Sequence, residues 1–290
     1  MGAASHPLLN FEGKTVVLTG TSSGMGAEGL RRFVDAGADV HSLDIAEPAT
    51  GTTADDKPAT GGRHRPYHTD IGDRRSIDRT IDQLPDRVDV LVNCAGIPNG
   101  GRFSSEQVMR VNWLGLRHLT EALLLRMGDG GAVVHVASTA GRDWLSRATE
   151  LRQLMAATDF EDGLAWVAAN PDVCGDGYVF SKQAVQFYTL WRSVQLLSRG
   201  IRMNSICPGI TDTSIIADFR TGMGDEVIDQ AKAIVGRLAE PSEMAPAMLF
   251  LADDASASYI NGVNLNIDRG TGAARATGQT DPERIWGPVG

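Results

Sequence analysis

A chain of 290 residues, 42% of them hydrophobic, with a mean hydropathy of −0.14, carries enough apolar material to fill the core of a single α/β domain. Its formal charge of −9 repels phosphate backbones and anionic lipid headgroups, which argues against nucleic-acid and membrane-surface partners. Three cysteines, Cys94, Cys174 and Cys207, have neither metal-ligand spacing nor an even count, so they read as small buried thiols of a cytoplasmic protein without a metal site.

The leading MGAASHPLLN has no charged segment followed by an apolar stretch, and His6 stands where a myristoylation signal needs Ser or Thr. From Thr15 the run TVVLT predicts a first strand, followed by the glycine-rich TGTSSGMG and a helix with Leu30, Phe33 and Val34 on one stripe. A second strand, DVHSL from Asp39, ends at Asp44, and Ile45 to Gly62 reads as a long surface loop rich in Thr, Ala, Gly and Pro. Ile77, Ile81 and Leu84 mark another helix. Further strands are predicted at VDVLVN from Val88, AVVHVAS from Ala132, IRMNSI from Ile201 and VNLNI from Val263. Short apolar runs alternating with helix-period segments predict a parallel sheet covered by helices on both faces.

Between Ser138 and Tyr178, Leu151, Leu154 and Met155 fall at helical spacing, then a Thr158 or Asp159 cap and a second stripe of Phe160, Leu164 and Val167, together a helical hairpin. Trp144 and Trp166 read equally as pocket walls or as packing. His135, alternating with Val134 and Val136, reads as a hydrogen-bonded core residue. From Thr271 onward a polar tail with an apolar plug, Ile285 and Trp286, is expected.

Two features carry chemistry. Gly20, Gly24 and Gly26 lie between a strand and a helix, where glycines let the backbone approach a pyrophosphate and the helix N-terminus offers free N–H groups. Asp44 ends the second strand 18 residues after Gly26, placed to accept from adenosine ribose hydroxyls and to repel a 2′-phosphate. No Lys or Arg stands among Thr21 to Ser23 or directly after Asp44, so NAD is expected over NADP. Tyr178 and Lys182 lie at i and i+4 and can point into a common space; alone, that spacing is equally that of a solvated helix face.

Together with NCAG at Asn93–Gly96, VNWLG around Asn112, Ser138, CPGITDT at Cys207–Thr213, PSEMA at Pro241–Ala245, FLADDAS at Phe250–Ser256 and INGVNLNIDRG at Ile260–Gly270, these motifs resemble the short-chain dehydrogenase/reductase family from Lys14 to Gly270. The resemblance implies a Rossmann-type doubly wound parallel sheet of about seven strands with helices on both faces, in one domain with a core at 14–270, a helical insertion at 139–177 and a tail at 271–290. It implies catalysis by Asn112, Ser138, Tyr178 and Lys182. Tyr178 would handle the hydroxyl proton, with Lys182 and the oxidised nicotinamide favouring phenolate; Ser138 would orient the substrate oxygen; Asn112 would hold a water that relays protons through Lys182. Cofactor contacts are implied for Gly20, Ser22, Ser23, Gly24, Met25 and Gly26, for Asp44, Asp70 and Ile71, for Asn93, Ala95 and Gly96, for Tyr178 and Lys182, and for Pro208, Gly209, Ile210 and Thr213. Cys94 stands where relatives have a second Asn, and Arg269 where they have a Gly.

The short Gly96–Asn112 spacing and the long insertion are similar to the subgroup containing bacterial 3α-hydroxysteroid dehydrogenase/carbonyl reductase and coniferyl-alcohol dehydrogenase. The expected activity is thus NAD-dependent interconversion of a bulky hydrophobic secondary alcohol, foremost a hydroxysteroid, and its ketone, with an aromatic or terpene alcohol as the alternative. Thr139, Trp144 and Ile215 are the expected substrate contacts, Trp144 to Val167 the expected apolar wall, and a homodimer or homotetramer the expected assembly. A non-catalytic nucleotide-sensing relative would be expected to have lost Tyr178, Lys182 or Ser138, and all three are present.

Overall fold

The computed structural model describes residues 9–46, 61–98, 100, 102–213, 216, 221, 224–282 and 285. Seven parallel strands form one sheet in the order β3-β2-β1-β4-β5-β6-β7. They are β1 (Thr15–Thr19), β2 (Asp39–Asp44), β3 (Arg63–His68), β4 (Val90–Asn93), β5 (Ala132–Val136), β6 (Arg202–Pro208) and β7 (Asn264–Ile267). Val16 pairs with Val40 on one side and with Val90 on the other, so the order reverses between β1 and β4. In an open parallel sheet the chains leaving two such strands diverge and leave a crevice at their carboxyl ends.

Six strands are the apolar runs read from the sequence. The seventh, β3, reads RHRPYH and carries no apolar run, because it is an edge strand with mostly half-exposed side chains. An edge also accommodates Pro66, which has no N–H to donate to a neighbour.

Alternation along β1 divides the core. Val16 and Leu18 join Phe33 of α1 (Gly24–Asp35) and Met244 and Met248 of α10 (Pro241–Ala252) on one face. Val17 joins Trp113, Leu119 of α4 (Leu116–Leu124) and Val185 and Tyr188 of α8 (Tyr178–Gln195) on the other. Each such fully buried aliphatic side chain contributes about 1.5–3 kcal/mol. On the second face also lie α2 (Arg74–Ile81), capped by the Asp73 carboxylate, and α3 (Ser105–Met109), which opens on a Ser104–Gln107 capping box and passes through a π-helical turn, Arg110–Gly115, into α4. No described helix is long and apolar enough to cross a membrane.

The insertion begins with two 3₁₀ turns, Thr139–Gly141 and Trp144–Arg147, and continues as α5 (Ala148–Met155), α6 (Phe160–Ala169) and a short α7 (Pro171–Cys174). Asp159 is the cap of α6, accepting from Asp162 N at 3.0 Å, while Thr158 donates to the Asp162 carboxylate. Arg117 on α4 donates to the Met155 and Ala157 carbonyls at 3.2 and 2.6 Å, satisfying acceptors that the end of α5 leaves open. Leu151, Leu154, Met155, Phe160 and Val167 are all buried in the cluster that contains Trp113 and Phe180. Both predicted stripes therefore pack onto the core, and the expected wall from Trp144 to Val167 does not form.

The remaining helices are α9 (Asp225–Val235), α11 (Asp254–Ala257) and α12 (Thr271–Ala276). The segment expected as a polar tail thus starts with a helix; Ile285 is partly exposed, and Trp286 lies outside the described residues. Arg269, just before α12, has φ 50°, the left-handed region where glycine is unstrained.

Candidate active site

The two sides of the crevice are tied by Thr19, whose Oγ1 accepts from Cys94 N at 3.0 Å and Ala95 N at 2.9 Å. A Cβ on Gly20 would stand 2.7 Å from the Ala95 backbone, and one on Gly26 would stand 1.9 Å from the Gly20 carbonyl oxygen. Only glycines close this turn. Gly24 begins α1 under the Thr213 side chain, 3.4 Å from where a Cβ would sit. Ser23 gives α1 no side-chain cap and its first turn holds no acidic residue, so the helix dipole is uncompensated there and favours an anion. Asp44 is fixed against the turn: one carboxylate oxygen accepts from Ser22 N at 2.7 Å and the other from Ala46 N at 2.9 Å. A carboxylate has about four lone-pair sites, so acceptors remain for ribose hydroxyls.

Across the crevice, β5 delivers Ser138 in an extended conformation, its Oγ accepting from Ala140 N at 3.1 Å and its carbonyl accepting from Gln186 Nε2 at 2.7 Å. Tyr178 is the first residue of α8. Gly177, at φ 84°, turns the chain into the helix, and Tyr178 N donates to Asp176 Oδ1 at 2.9 Å. One turn later the Lys182 ammonium donates to the Val136 carbonyl at 3.1 Å and lies 5.7 Å from the centre of the Tyr178 ring. Both side chains are buried, with 7% and 6% of their surface exposed, so the pair is no solvated face.

Burial sets their titration. The Tyr178 phenol is pushed up to about 12 by desolvation, which outweighs the hydrogen bond from Ser138 and is reinforced by Asp176. Lys182 is pushed down to about 8, again by desolvation. The expected lowering of the phenol by Lys182 is therefore not met in the protein alone, because desolvation dominates. His135 behaves as read: buried, 3.1 Å from Asn93 Nδ2, and pushed down to about 3 by burial, hence neutral.

Asn112 sits in the π-helical turn, a widened turn that re-aims side chains and recurs at functional sites. Its Oδ1 accepts from Ile97 N at 2.8 Å and its Nδ2 donates to Ile97 O at 2.9 Å. A Cβ on Gly96 would stand 3.3 Å from Asn112 Oδ1 and 3.5 Å from Lys182 Nζ, so both groups border the space above Gly96. Nothing in the motif VNWLG signals the π turn.

These elements enclose a cleft of about 390 Å³. Of the expected residues, Met25, Gly96, Ser138, Thr139, Tyr178, Lys182, Pro208, Gly209, Ile210 and Thr213 line it. Asn93 does not: its side chain is buried and donates to Thr120 Oγ1 at 2.9 Å, linking β4 to α4. Ile71 is buried in the core, while Asp70 Oδ1 accepts from Gly72 N at 2.7 Å. Trp144 turns from the cleft and meets Phe187 edge-on at 5.8 Å, and Trp166 stacks on Phe180 at 5.8 Å. Ile215 lies outside the described residues. Sequence reasoning missed Ile97, Val179, Arg142, Asp143, Thr271 and Arg275, all on the cleft. Cys174 and Cys207 are buried, whereas Cys94 is partly exposed and borders the cleft.

Residues 14–149 match the family model "short chain dehydrogenase" and residues 168–272 the model "Enoyl-(Acyl carrier protein) reductase". What lies between, 150–167, is most of α5 and α6. The chain is 33% identical over 266 residues to coniferyl-alcohol dehydrogenase of a Pseudomonas species, covering 90% of this chain and 98% of the relative. It is 30% identical over 278 residues to meso-2,3-butanediol dehydrogenase of Serratia marcescens, covering 92% and 97%. The fold superposes with TM-score 0.75 on 3-alpha-hydroxysteroid dehydrogenase from a Pseudomonas species complexed with NADH, at 24% identity over 91% of this chain and 99% of that one.

Proposed function

The chain belongs to the short-chain dehydrogenase/reductase family and is an oxidoreductase of alcohols and carbonyl compounds; from that premise we propose that it uses NAD to interconvert an alcohol borne on an apolar ring system and its carbonyl. The observation that carries the reading is the meeting of Ser138, Tyr178 and Lys182 on one cleft, beside a turn that only glycines can close.

In this proposal the Gly20–Gly26 turn and the first amides of α1 hold the pyrophosphate, with Ser22 and Ser23 beside them, and Asp44 accepts from the adenosine ribose. Asp70 and the backbone of Ile71, whose side chain is in the core, border the adenine, and the backbone of Asn93, Ala95 and Gly96 lies along the cofactor. Lys182 donates to the nicotinamide ribose, and Pro208–Ile210 with Thr213 meet the carboxamide. A bound nicotinamide nucleotide supplies the hydride acceptor or donor.

The residues supply proton handling and alignment. Ser138 donates to the substrate oxygen and Tyr178 exchanges the hydroxyl proton. A phenol held near 12 by burial is a strong base once ionised, and a positive charge brought close to it lowers the cost of that ionisation. Asn112 holds Ile97 through both backbone groups and, with Lys182, borders the space above Gly96, where a proton-relaying water fits the chemistry.

NAD is favoured over NADP because the Asp44 carboxylate occupies the place of a 2′-phosphate, with no described basic side chain paired to it. Ile97, Val179, Ile210 and Ile228 give the cleft its apolar character. An aromatic alcohol of coniferyl type leads, supported by the 33%-identical relative. The hydroxysteroid expectation loses its main support, since the insertion's stripes pack on the core. An exposed apolar row at the end of α8, Trp191, Val194 and then Leu197, supports a homodimer or homotetramer, which sedimentation analysis tests.

The testing experiment follows NADH and NADPH formation with coniferyl alcohol, a hydroxysteroid and a small diol. NAD-linked turnover of the ring alcohols well above the diol is expected. Preference for NADP, or for the diol, contradicts the proposal.

A further inference from the structure

Two arginines from separate elements line the cleft. Arg142 leaves the first turn of the insertion, four residues after Ser138, and Arg275 stands in the last turn of α12. In a chain of formal charge −9, converging cations at a reaction cleft need a reason.

Arginines packed into the fold elsewhere each have a close carbonyl or carboxylate partner. Arg202 donates to the Leu251 carbonyl at 2.7 Å, Arg117 to the end of α5, Arg126 to the Leu84 carbonyl at 2.8 Å, and Arg192 to Glu121 at 2.7 Å. Arg275 is half-buried, yet among the described residues its guanidinium has neither an ion pair nor a hydrogen bond. Arg142 is 44% exposed and has only long contacts, 3.4 Å to the Thr139 carbonyl and 3.8 Å to Asp143.

The two carboxylates nearby do not neutralise the pair. Asp143 is 75% exposed and screened by solvent. Asp268 accepts from Gly270 N at 2.9 Å and Gly272 N at 2.7 Å at the start of α12 and offsets only part of the charge of Arg275. Desolvation and the like charge of Arg142 both disfavour the charged form of Arg275, with Asp268 acting the other way. An anion placed between the two guanidiniums would relieve that repulsion and fill open donor sites in a fork geometry suited to a carboxylate.

We propose that Arg142 and Arg275 form a carboxylate-recognition subsite at the far end of the cleft, so that the enzyme's substrates carry an apolar body with the reacting alcohol or carbonyl near Ser138 and a carboxylate at the opposite end. The inference rests on the proposed function for the location of the reacting end. It explains how a cleft whose insertion supplies no apolar wall achieves selectivity: the first turn of the insertion contributes a charge in place of a hydrophobic surface.

The probes are 4-acetylbenzoate, the longer 4-acetylcinnamate and their methyl esters, which differ in charge with little change in shape. Binding to the complex with oxidised NAD, which cannot reduce a ketone, is measured by protein fluorescence, for the wild type, Arg142→Gln, Arg275→Gln and the double variant. Thermal unfolding confirms that each variant is folded, and NADH titration reports on the cofactor site. At least one acid is expected to bind the wild type tenfold or more tighter than its ester, with the gap narrowing in each single variant and closing in the double. Equal affinity of acids and esters overturns the subsite, as does a gap that persists in the double variant. Weakened NADH binding with an unchanged acid-to-ester ratio also overturns it, assigning the arginines to the cofactor. Because binding is read without turnover, failure of the proposed reaction appears separately, as absence of NADH consumption with acids that bind.

Discussion

The glycine turn after β1 and the insertion after β5 flank the same cleft, yet they relate to it in opposite ways. In the turn the backbone itself forms the wall: Gly26 meets the Gly20 carbonyl so closely that no side chain fits, and Asp44 is held by the Ser22 amide. In the insertion the side chains dominate, and they turn inward, burying Leu151, Leu154 and Phe160 against Trp113 and its neighbours. A motif that constrains backbone geometry fixes its own location. An amphipathic stripe declares only that one face is covered, by the core or by a ligand.

Exchanging the roles of the two regions is the sharpest way to break this contrast. Leu154→Ala, at a fully buried site, is expected to cost about 3 kcal/mol of stability, measured by urea unfolding, while leaving kcat/KM within a few-fold. Loss of ring-alcohol turnover with little loss of stability would return the stripe to the cleft. Gly26→Ala should behave in reverse. Its new Cβ falls 1.9 Å from a backbone oxygen, so the turn must shift, and NADH affinity in fluorescence titration is expected to drop tenfold or more, with about 2 kcal/mol of stability.

The turn, the ordered strands and the Tyr178–Lys182 pair were legible because each is local: glycine spacing, apolar runs and i,i+4 geometry are written in adjacent residues. What was not legible depends on distant partners. β3 pairs with β2 through its backbone and through polar side chains, Ser42 with His64 and His41 with Tyr67, and needs no apolar run. Asn93 was read as facing the cofactor, but whether it faces the cleft or Thr120 follows from where α4 lies. Arg275 fell in a stretch that reads as a polar tail, and only the return of α12 across the cleft gives it a place.

Smaller effects sharpen the same contrast. Asp44→Asn keeps the shape and removes the charge. Loss of about one charge-assisted hydrogen bond, roughly 1.4 kcal/mol, should narrow the preference for NAD over NADP about tenfold in the ratio of kcat/KM values. An unchanged ratio would place cofactor discrimination elsewhere. Arg269→Gly relieves a left-handed residue but loosens the unfolded chain, so a gain below about 1 kcal/mol is expected, visible as a Tm rise of about 1–2 °C with no change in kcat. A fall in Tm would mean that the Arg269 side chain contributes more than its backbone strain costs.

The central claim is that Tyr178, aligned by Ser138 and Lys182, exchanges the proton of the reacting hydroxyl. Tyr178→Phe keeps the ring in its buried seat and removes only the phenolic oxygen. The measurement is single-turnover NADH formation from a ring alcohol, paired with NADH titration of the same preparation. The account predicts a fall of about two to four orders of magnitude in rate with cofactor affinity retained. Near-normal turnover by the variant would contradict it.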